Sequence, residues 1–410
     1  MKIKKAISHI LPDSTKVYIK MLFNGINNKK MLQKKVSIKG FVPDKYPFGI
    51  NLIGDIRAET GLGQSMRILA DILEEGEIPF TIWQMDSPGE LELNDDKWKE
   101  KISAKLKYSI NLVHINPNIW AETYNKFSKE VFDYRYNIAF WLWELEEFPD
   151  KWVDCIETVD EIWTPSEFIS KSIKQKTTKP VETVPYAICF DVENLYPRKY
   201  FELPEDKFLF LAMYDFKSIS ERKNPKAVIR AYKNAFDQGG EGTGLVIKIN
   251  HLGKKRELEQ LQEEMAGYKN IYYITDNLSR KEIESLIADV DVLVSLHRSE
   301  GFGLPLAEAM YLGTPVIATG WSANVEFMEN DCSCLVNYTL AEIKRNIGPY
   351  EKGNQWAEAD IVCASQYMKK LYYDKEYWEE ISGNGKKKIR QKLNIENAIS
   401  VIKGKIKRLN

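Results

Sequence analysis

Ser299-Glu300-Gly301-Phe302-Gly303-Leu304-Pro305-Leu306-Ala307-Glu308-Ala309-Met310 decides how this chain reads. The run before it, Val290-Asp291-Val292-Leu293-Val294-Ser295-Leu296-His297, is β-branched and apolar and predicts a buried strand. After it, Tyr311-Leu312-Gly313-Thr314-Pro315 predicts a turn and Val316-Ile317-Ala318-Thr319 a second short strand. Strand, Gly-rich turn, short helix, turn, strand is half of a doubly wound α/β sheet. Ligands of such sheets lie at the carboxyl ends of the strands, where Glu300 falls. Gly301 and Gly303 leave the backbone bare, so its N–H groups can approach an anion at the helix start. Glu308 lies about one turn into the helix.

Two acids so placed suggest a division of labour. One carboxylate can accept hydrogen bonds from the paired hydroxyls of a ribose, and the other can hold the hydroxyls of a sugar. Hydrogen bonds to a charged group contribute roughly 1.5–3 kcal/mol each. The plainer reading makes Glu308 a surface helix residue and the glycines a simple turn.

Glu300 through Glu308, with Gly301-Phe302-Gly303-Leu304 inside and Gly313-Thr314-Pro315-Val316-Ile317-Ala318 after it, resembles the E-x7-E signature of the retaining GT-B glycosyltransferases of family 4, the glycosyl transferases group 1. The resemblance spans residues 48–385, is strongest from 208 to 330, and leaves 1–40 unaddressed. It implies an α/β fold of two Rossmann-like domains facing a cleft, with a C-terminal helix returning to the N-terminal domain. It also implies roles: Glu300 for the donor sugar, Glu308 for the nucleotide ribose, and Phe302, Gly303 and Leu304 for amide contacts with the donor.

Bulk properties agree with a two-domain globular protein. At 410 residues the chain is long enough for two cores. The net charge of −1 gives no global field for nucleic acid, and none is expected as partner. The charge is uneven, however. Residues 1–40 carry ten lysines against Asp13, and 385–410 carry nine Lys or Arg against Glu396, which leaves the body at −18. Basic ends on an acidic body point to an anionic surface such as a membrane leaflet, or to solvated helix faces. The apolar residues between the N-terminal lysines predict short amphipathic helices, suited to a membrane interface or to packing on the first domain. The five cysteines (155, 189, 332, 334 and 363) lack zinc or thioredoxin spacing and suggest reduced thiols in a cytosol. No apolar run reaches about 18 residues, and Pro12 and Asp13 interrupt the first apolar stretch, so neither a spanning helix nor a signal peptide is expected. The expected location is the cytoplasm, at the inner face of the membrane.

In the first half, Gly49 to Gly54 predicts a strand, Asp55 to Gln64 a loop, and Ser65 to Leu73 a helix. A dinucleotide site would need a third glycine after Gly61-Leu62-Gly63, which argues against a nicotinamide dehydrogenase. The resemblance puts this loop near the donor phosphates and acceptor, and implies Gly61, Gly63 and Gln64 as binding residues. Asn111 to Asn116 predicts a strand with His114 at its end. There a histidine is either structural or, as the family implies, set against the donor sugar and reacting centre. Tyr136 to Glu144 is aromatic-dense and reads as core around Phe140, with Trp141 and Glu144 as acceptor-side candidates. Ser166 predicts a helix N-cap.

Pro197 and Pro204 mark residues 190–206 as a linker. Phe208 to Met213 predicts the first strand of the second domain, followed by a loop and a helix from about Lys226. Arg222 and Lys223 sit in that loop. A basic pair there suits a diphosphate, since the leaving pyrophosphate gains charge as the glycosidic bond breaks. The family uses an Arg and a Lys at this place, and Lys217 is a rival for one position. Many members have a Gly-rich end after the next strand, where this chain has Lys248. Ile271 to Asp276 predicts a strand at the place where the family seats the nucleotide base, which makes Thr275 a binding candidate. Asp289-Val290-Asp291 has metal-motif spacing but leads straight into a strand, and no metal is expected. Trp356 to Asp360 predicts a helix start.

The expected domains are therefore a basic N-terminal extension (1–40), an acceptor-side Rossmann-like domain (41–195), a nucleotide-sugar domain (205–385) and a basic crossover helix or tail (386–410). The expected activity is metal-independent hexosyl transfer, with retention, from a nucleotide-diphosphate sugar of UDP or GDP type to a glycan or lipid-linked glycan, in cell-surface polysaccharide synthesis. No cofactor is expected. The alternative is a non-catalytic GT-B partner subunit that binds a glycan or an active homologue. Such a subunit is expected to have lost the acids or the basic pair, and this chain has all four.

Overall fold

The structure, a computed structural model, describes residues 38–85, 93–190, 192–215, 218–237, 242–250 and 255–409. The amphipathic helices expected near the N-terminus and Lys217 lie outside the described residues. The chain divides into two compact units. One comprises Met1–Ala187, Glu342–Asn354 and Ile395–Asn410; the other comprises Ile188–Ala341 and Gln355–Asn394.

In the first unit, six strands form one parallel sheet: β1 (Ile50–Gly54), β2 (Phe80–Gln84), β3 (Ile110–Val113), β4 (Tyr136–Phe140), β5 (Glu161–Thr164) and β6 (Val181–Thr183). Their spatial order is β2-β1-β3-β4-β5-β6. Strands covered by helices on both faces need apolar side chains both ways, and Ile50, Leu52, Ile110, Leu112, Ile138 and Ile162 are all fully buried. Each such side chain contributes about 1.5–3 kcal/mol. The chain builds outward from β1 to β2 and then crosses over to β3. The switch in direction therefore falls between β1 and β3, and a ligand crevice is expected at their carboxyl ends.

One feature of this sheet is polar. Asn51, Asn111 and Asn137 are each the second residue of their strand and stand in register across β1, β3 and β4. Asn51 Nδ2 donates to Asn111 Oδ1 at 2.9 Å, and Asn111 Nδ2 donates to Asn137 Oδ1 at 2.8 Å. The remaining amide groups bond the backbone of Tyr108, Val131, Phe132 and Arg135. The ladder lies at the amino ends of the strands, away from the switch-point crevice, and fixes their register.

Helix α1 (Gly61–Glu75) follows β1. It begins four residues earlier than the sequence predicts, so Gly61 and Gly63 form its first turn rather than a loop. Thr60 is the reason: its Oγ1 accepts the Gly63 N–H and caps the helix. Gly63 also has to be glycine, because a Cβ there would meet the Ala58 carbonyl oxygen at 2.0 Å. Helices α2 (Pro117–Val131) and α3 (Glu167–Lys174) complete the layers named here, α3 capped by Ser166 as expected.

The second unit repeats the plan with β7 (Phe208–Asp215), β8 (Thr243–Asn250), β9 (Ile271–Ile274), β10 (Val292–Ser295), β11 (Val316–Thr319) and β12 (Cys334–Val336), in spatial order β12-β11-β10-β7-β8-β9. Its connecting helices are α4 (Pro225–Ala235), α5 (Lys255–Met265), α6 (Arg280–Asp289) and α7 (Leu304–Leu312). Phe210, Tyr232, Ile247, Val294 and Met368 lie in its core. The switch falls between β7 and β10. Asp291 is structural: its Oδ2 accepts the Leu209 N–H at 2.7 Å and lies 3.2 Å from Arg198 Nη2.

A two-stranded ribbon, β13 (Tyr338–Glu342) with β14 (Gln355–Ala359), occupies the place where the sequence predicts a helix start. The helix, α8 (Ile361–Tyr373), begins only at Asp360, whose carboxylate accepts the N–H groups of Val362 and Cys363. Helix α9 (Lys375–Lys392) follows, and the last helix, α10 (Ile395–Ile406), returns to the first unit and packs on α1, with Ile399 against Gly76. Among the described residues, no helix is long and apolar enough to cross a membrane.

Candidate active site

The switch point of the second sheet brings together Arg222, Lys223 and Glu300. After β7 the chain forms a one-turn helix, Ser220–Lys223, which ends in the left-handed Asn224 and presents Arg222 and Lys223. After β10 it runs through Leu296 to Gly303. The two segments meet. Arg222 Nη1 lies 3.0 Å and Lys223 Nζ 2.5 Å from Glu300 Oε1. Arg222 Nη1 also donates to the Ser299 carbonyl at 2.8 Å.

Glu300 is 8% exposed. Burial alone would raise its carboxyl, but Lys223 and Arg222 outweigh that and hold it at about 2. Two cations thus meet on one acid.

The backbone of Glu300 is fixed as well. Its N–H donates to Ser322 Oγ at 2.8 Å, and its carbonyl accepts from Ala323 N at 3.2 Å. Ser322 stands at φ 75°, an uncommon conformation for a serine. Arg298 ties the two segments together. Its backbone N–H donates to the Arg222 carbonyl at 2.7 Å, and Nη1 to the Glu221 carbonyl at 2.5 Å. Its other face grips the Glu358 carboxylate on β14 in a fork of 2.6 and 3.0 Å.

Gly303, at φ 94°, turns the chain into α7, with Leu304 and Pro305 opening the helix. A Cβ at Gly303 would be strained by that φ and would press on Leu306 Cδ1 at 3.0 Å. Phe302 packs its buried ring on Phe327, so what it brings to the helix start is backbone. Lys223, Glu300, Gly303, Pro305 and Leu306 line a small pocket together with Met213 and the end of β10. Glu308, in the second turn of α7, is 2% exposed, and its Oε1 lies 2.7 Å from Arg280 Nη2.

Thr275 follows β9 half-buried, five residues before Arg280. Lys248, at the end of β8, is fully buried. Its ammonium donates to Asn250 Oδ1, to the Ile249 carbonyl at 3.2 Å and to the Asp276 carbonyl at 2.8 Å. Burial pushes it down to about 8.

Sequence reasoning missed His297, Arg280 and Arg298. His297 is fully buried beside Glu300's loop, between Ser295 Oγ and Asn324 Oδ1, each 3.1 Å away. Its place just after the β10 run was the one signal available. Arg298, next to Ser299-Glu300, had its proximity to the motif.

The first unit gathers a polar group of its own beyond the carboxyl ends of β1 and β3. Ser65 Oγ there lies 2.5 Å from His114 Nε2 and in hydrogen-bond contact with Tyr186 Oη. His114 is 4% exposed and its ring stacks on Phe140. Burial pushes its pKa down to about 4, so the imidazole is neutral near pH 7. Gly61 is exposed, Gly63 is buried in the helix start, and Gln64 accepts the Arg67 Nε–H at 3.1 Å. Trp141 is fully buried, with Trp120 and Phe148 beside it, and serves the core. Glu144 is half-buried and accepts from Tyr350 Oη at 3.2 Å.

Residues 198–339, which run from before β7 through β12 and include both glutamates, match the family described as Glycosyl transferases group 1. A stretch of 99 residues is 34% identical to the MMP alpha-(1->4)-mannosyltransferase of Mycolicibacterium hassiacum; it covers 24% of this chain and 23% of that protein, so the match spans about a quarter of each. The structure of Anabaena HepE in complex with UDP and glucose aligns over 88% of this chain and 100% of its own, with a TM-score of 0.61 and 13% identity. Sucrose-phosphate synthase from Thermosynechococcus elongatus aligns over 88% and 99%, with a TM-score of 0.64 and 15% identity. The shared fold is GT-B, two Rossmann-like domains, as the motif led us to expect.

Proposed function

We propose that this chain is a retaining glycosyltransferase that moves a hexosyl group from a nucleotide-diphosphate sugar to a glycan or lipid-linked glycan, without a metal ion. The observation that carries this is the convergence of Arg222 and Lys223 on Glu300 at the switch point of the second sheet. That cluster sets a basic pair beside a pocket, which suits a diphosphate. Glu300 accepts hydroxyls of the donor sugar, Glu308 those of the ribose, and the Phe302–Leu304 backbone meets the donor at the start of α7. The bond from the anomeric carbon to the diphosphate oxygen breaks, and a bond from the acceptor oxygen forms on the same face. The acceptor proton passes to the departing diphosphate. No protein base is assigned; His114 enters only as a neutral imidazole.

UDP in the HepE complex and mannosyl transfer by the M. hassiacum enzyme support testing uridine and guanosine sugars first. The assay is product formation from UDP- and GDP-sugars in the presence of EDTA, with proton NMR of the anomeric linkage. Retained configuration with EDTA present supports the reading. Inversion would overturn retention, and hydrolysis and transfer absent with every donor while nucleotides still bind would replace it with the partner-subunit reading.

The acceptor belongs to cell-surface polysaccharide synthesis at the cytoplasmic face of the membrane. Lys386, Lys387, Arg390, Lys392, Lys403, Lys407 and Arg408 are exposed and support an anionic lipid surface as partner. Flotation with anionic but not neutral liposomes is expected; equal sedimentation with both would remove the membrane from this account.

A further inference from the structure

Glu308 is nearly sealed from solvent. Its charge is balanced by Arg280, the first residue of α6, whose Nη2 lies 2.7 Å from Glu308 Oε1. A cation in the first turn opposes the helix dipole, so helix energetics do not place Arg280 there. Two acids do: its Nε donates to Glu284 Oε1 at 2.7 Å, while Nη2 faces Glu308. Burial works against the guanidinium charge, and Glu308 and Glu284 reverse that, leaving its pKa raised. The ring of Phe190 lies 5.6 Å from the guanidinium carbon. The guanidinium therefore bridges α6 to α7, hydrogen-bonded to Glu284 and ion-paired with Glu308.

We propose that Arg280 is a positioning residue that holds the Glu308 carboxylate turned so that its other lone pairs accept the ribose hydroxyls, making preference for ribonucleotides a property of the Arg280–Glu308 pair. This rests on the reading of Glu308 given above. A buried carboxylate stripped of its counter-charge turns toward water. Turned away, it no longer presents both oxygens to the ribose, and two-hydroxyl recognition is lost. Nothing in the family motif supplies this arginine, because it comes from a different helix.

The test is isothermal titration of UDP against 2′-deoxy-UDP, and of GDP against 2′-deoxy-GDP, with thermal melting to verify folding. Wild type is expected to favour the ribonucleotide of the tighter pair by about tenfold. Arg280→Met should bring that ratio to within about twofold of unity, and Arg280→Lys should fall between, because an ammonium supplies charge without the fork. Loss of packing alone would weaken both nucleotides and leave the ratio unchanged. If Arg280→Met fails to fold, Arg280→Lys decides, and a wild-type ratio in that variant overturns the proposal. Glu308→Gln separates the two levels. A ratio lost in Glu308→Gln but kept in the Arg280 variants overturns only the role of Arg280. A ratio kept in Glu308→Gln, or absent from wild type, overturns the ribose reading and this inference with it.

Discussion

Arg298 donates its backbone N–H to the carbonyl of Arg222 at 2.7 Å, while Arg222 returns a side-chain bond to the carbonyl of Ser299 at 2.8 Å. These reciprocal bonds join the segments after β7 and β10 at the point where the strand order reverses. They explain how a cationic turn of only four residues is held against Glu300. Arg298 adds a third bond through Nη1 to the Glu221 carbonyl, and the Glu358 fork sets the plane of its guanidinium.

If that clamp positions the cations, its removal should act on turnover. Arg298→Met is expected to lower kcat on the order of tenfold to a hundredfold, because small misplacements of a positioned charge are costly. Glu358→Gln, which keeps one acceptor oxygen for the fork, should have a smaller effect. Steady-state kinetics beside a melting curve checks this. A variant with normal kcat and a lowered Tm would reduce Arg298 to a packing role.

Glu300 gives a prediction about acid. Its folded pKa of about 2 lies below the ordinary 4.5, so its ionisation stabilises the fold fully above about 4.5 and ceases to as pH falls toward 2. Lys223→Met removes one of the two counter-charges, which raises the Glu300 pKa and shrinks that contribution. Acid unfolding, followed by tryptophan fluorescence, should move to higher pH in Lys223→Met. Adding Glu300→Gln should abolish the extra pH dependence, since the variant amide does not titrate. Superimposable acid curves for wild type and Lys223→Met would contradict the ion-pair account.

His114 carries the opposite chemistry in the other unit. Its pKa of about 4 lies below the ordinary 6.5, and burial is the cause. Between those values the unfolded chain binds a proton that the folded chain refuses, so stability falls as pH drops from about 6.5 to 4. The slope from this one group is at most about 1.4 kcal/mol per pH unit. His114→Gln should remove that share of the slope. Urea midpoints of both proteins at several pH values between 4 and 7.5 measure it; a constant difference across the range would mean that the imidazole is already protonated or exposed.

The strand-turn-helix around Glu300 was legible because its signals are local: a β-branched run, two glycines and a proline in their usual places. The β13–β14 ribbon was not. Gln355 to Ala359 has helix-compatible residues, and its strand character comes from pairing with Tyr338–Glu342, which propensity does not report. Thr60 was read as loop although it caps α1, because the glycines after it drew the boundary too late. Arg280 is a lone arginine on an ordinary amphipathic helix, and its partner is on another element. The asparagine ladder did leave a trace in the sequence. Ile50-Asn51-Leu52, Ile110-Asn111-Leu112 and Tyr136-Asn137-Ile138 repeat one pattern at three strand starts.

That repeat makes Asn111 a sharp test of the first sheet. It is fully buried, and its amide serves both neighbours, accepting from Asn51 and donating to Asn137 and to the Val131 carbonyl at 2.7 Å. Leucine is similar in size but leaves those three groups short of a partner, each such loss costing about 1–3 kcal/mol where no water enters. Asn111→Leu is therefore expected to lose about 2–5 kcal/mol in urea unfolding. Asn111→Asp should lose at least as much, because a carboxylate has no hydrogens for Asn137 or Val131 and buries a charge besides. Both variants should leave nucleotide affinity of the folded protein unchanged, since the proposed contacts lie in the second unit. A cost below about 0.5 kcal/mol for both would mean that the ladder is hydrated and that register is set by the apolar faces alone.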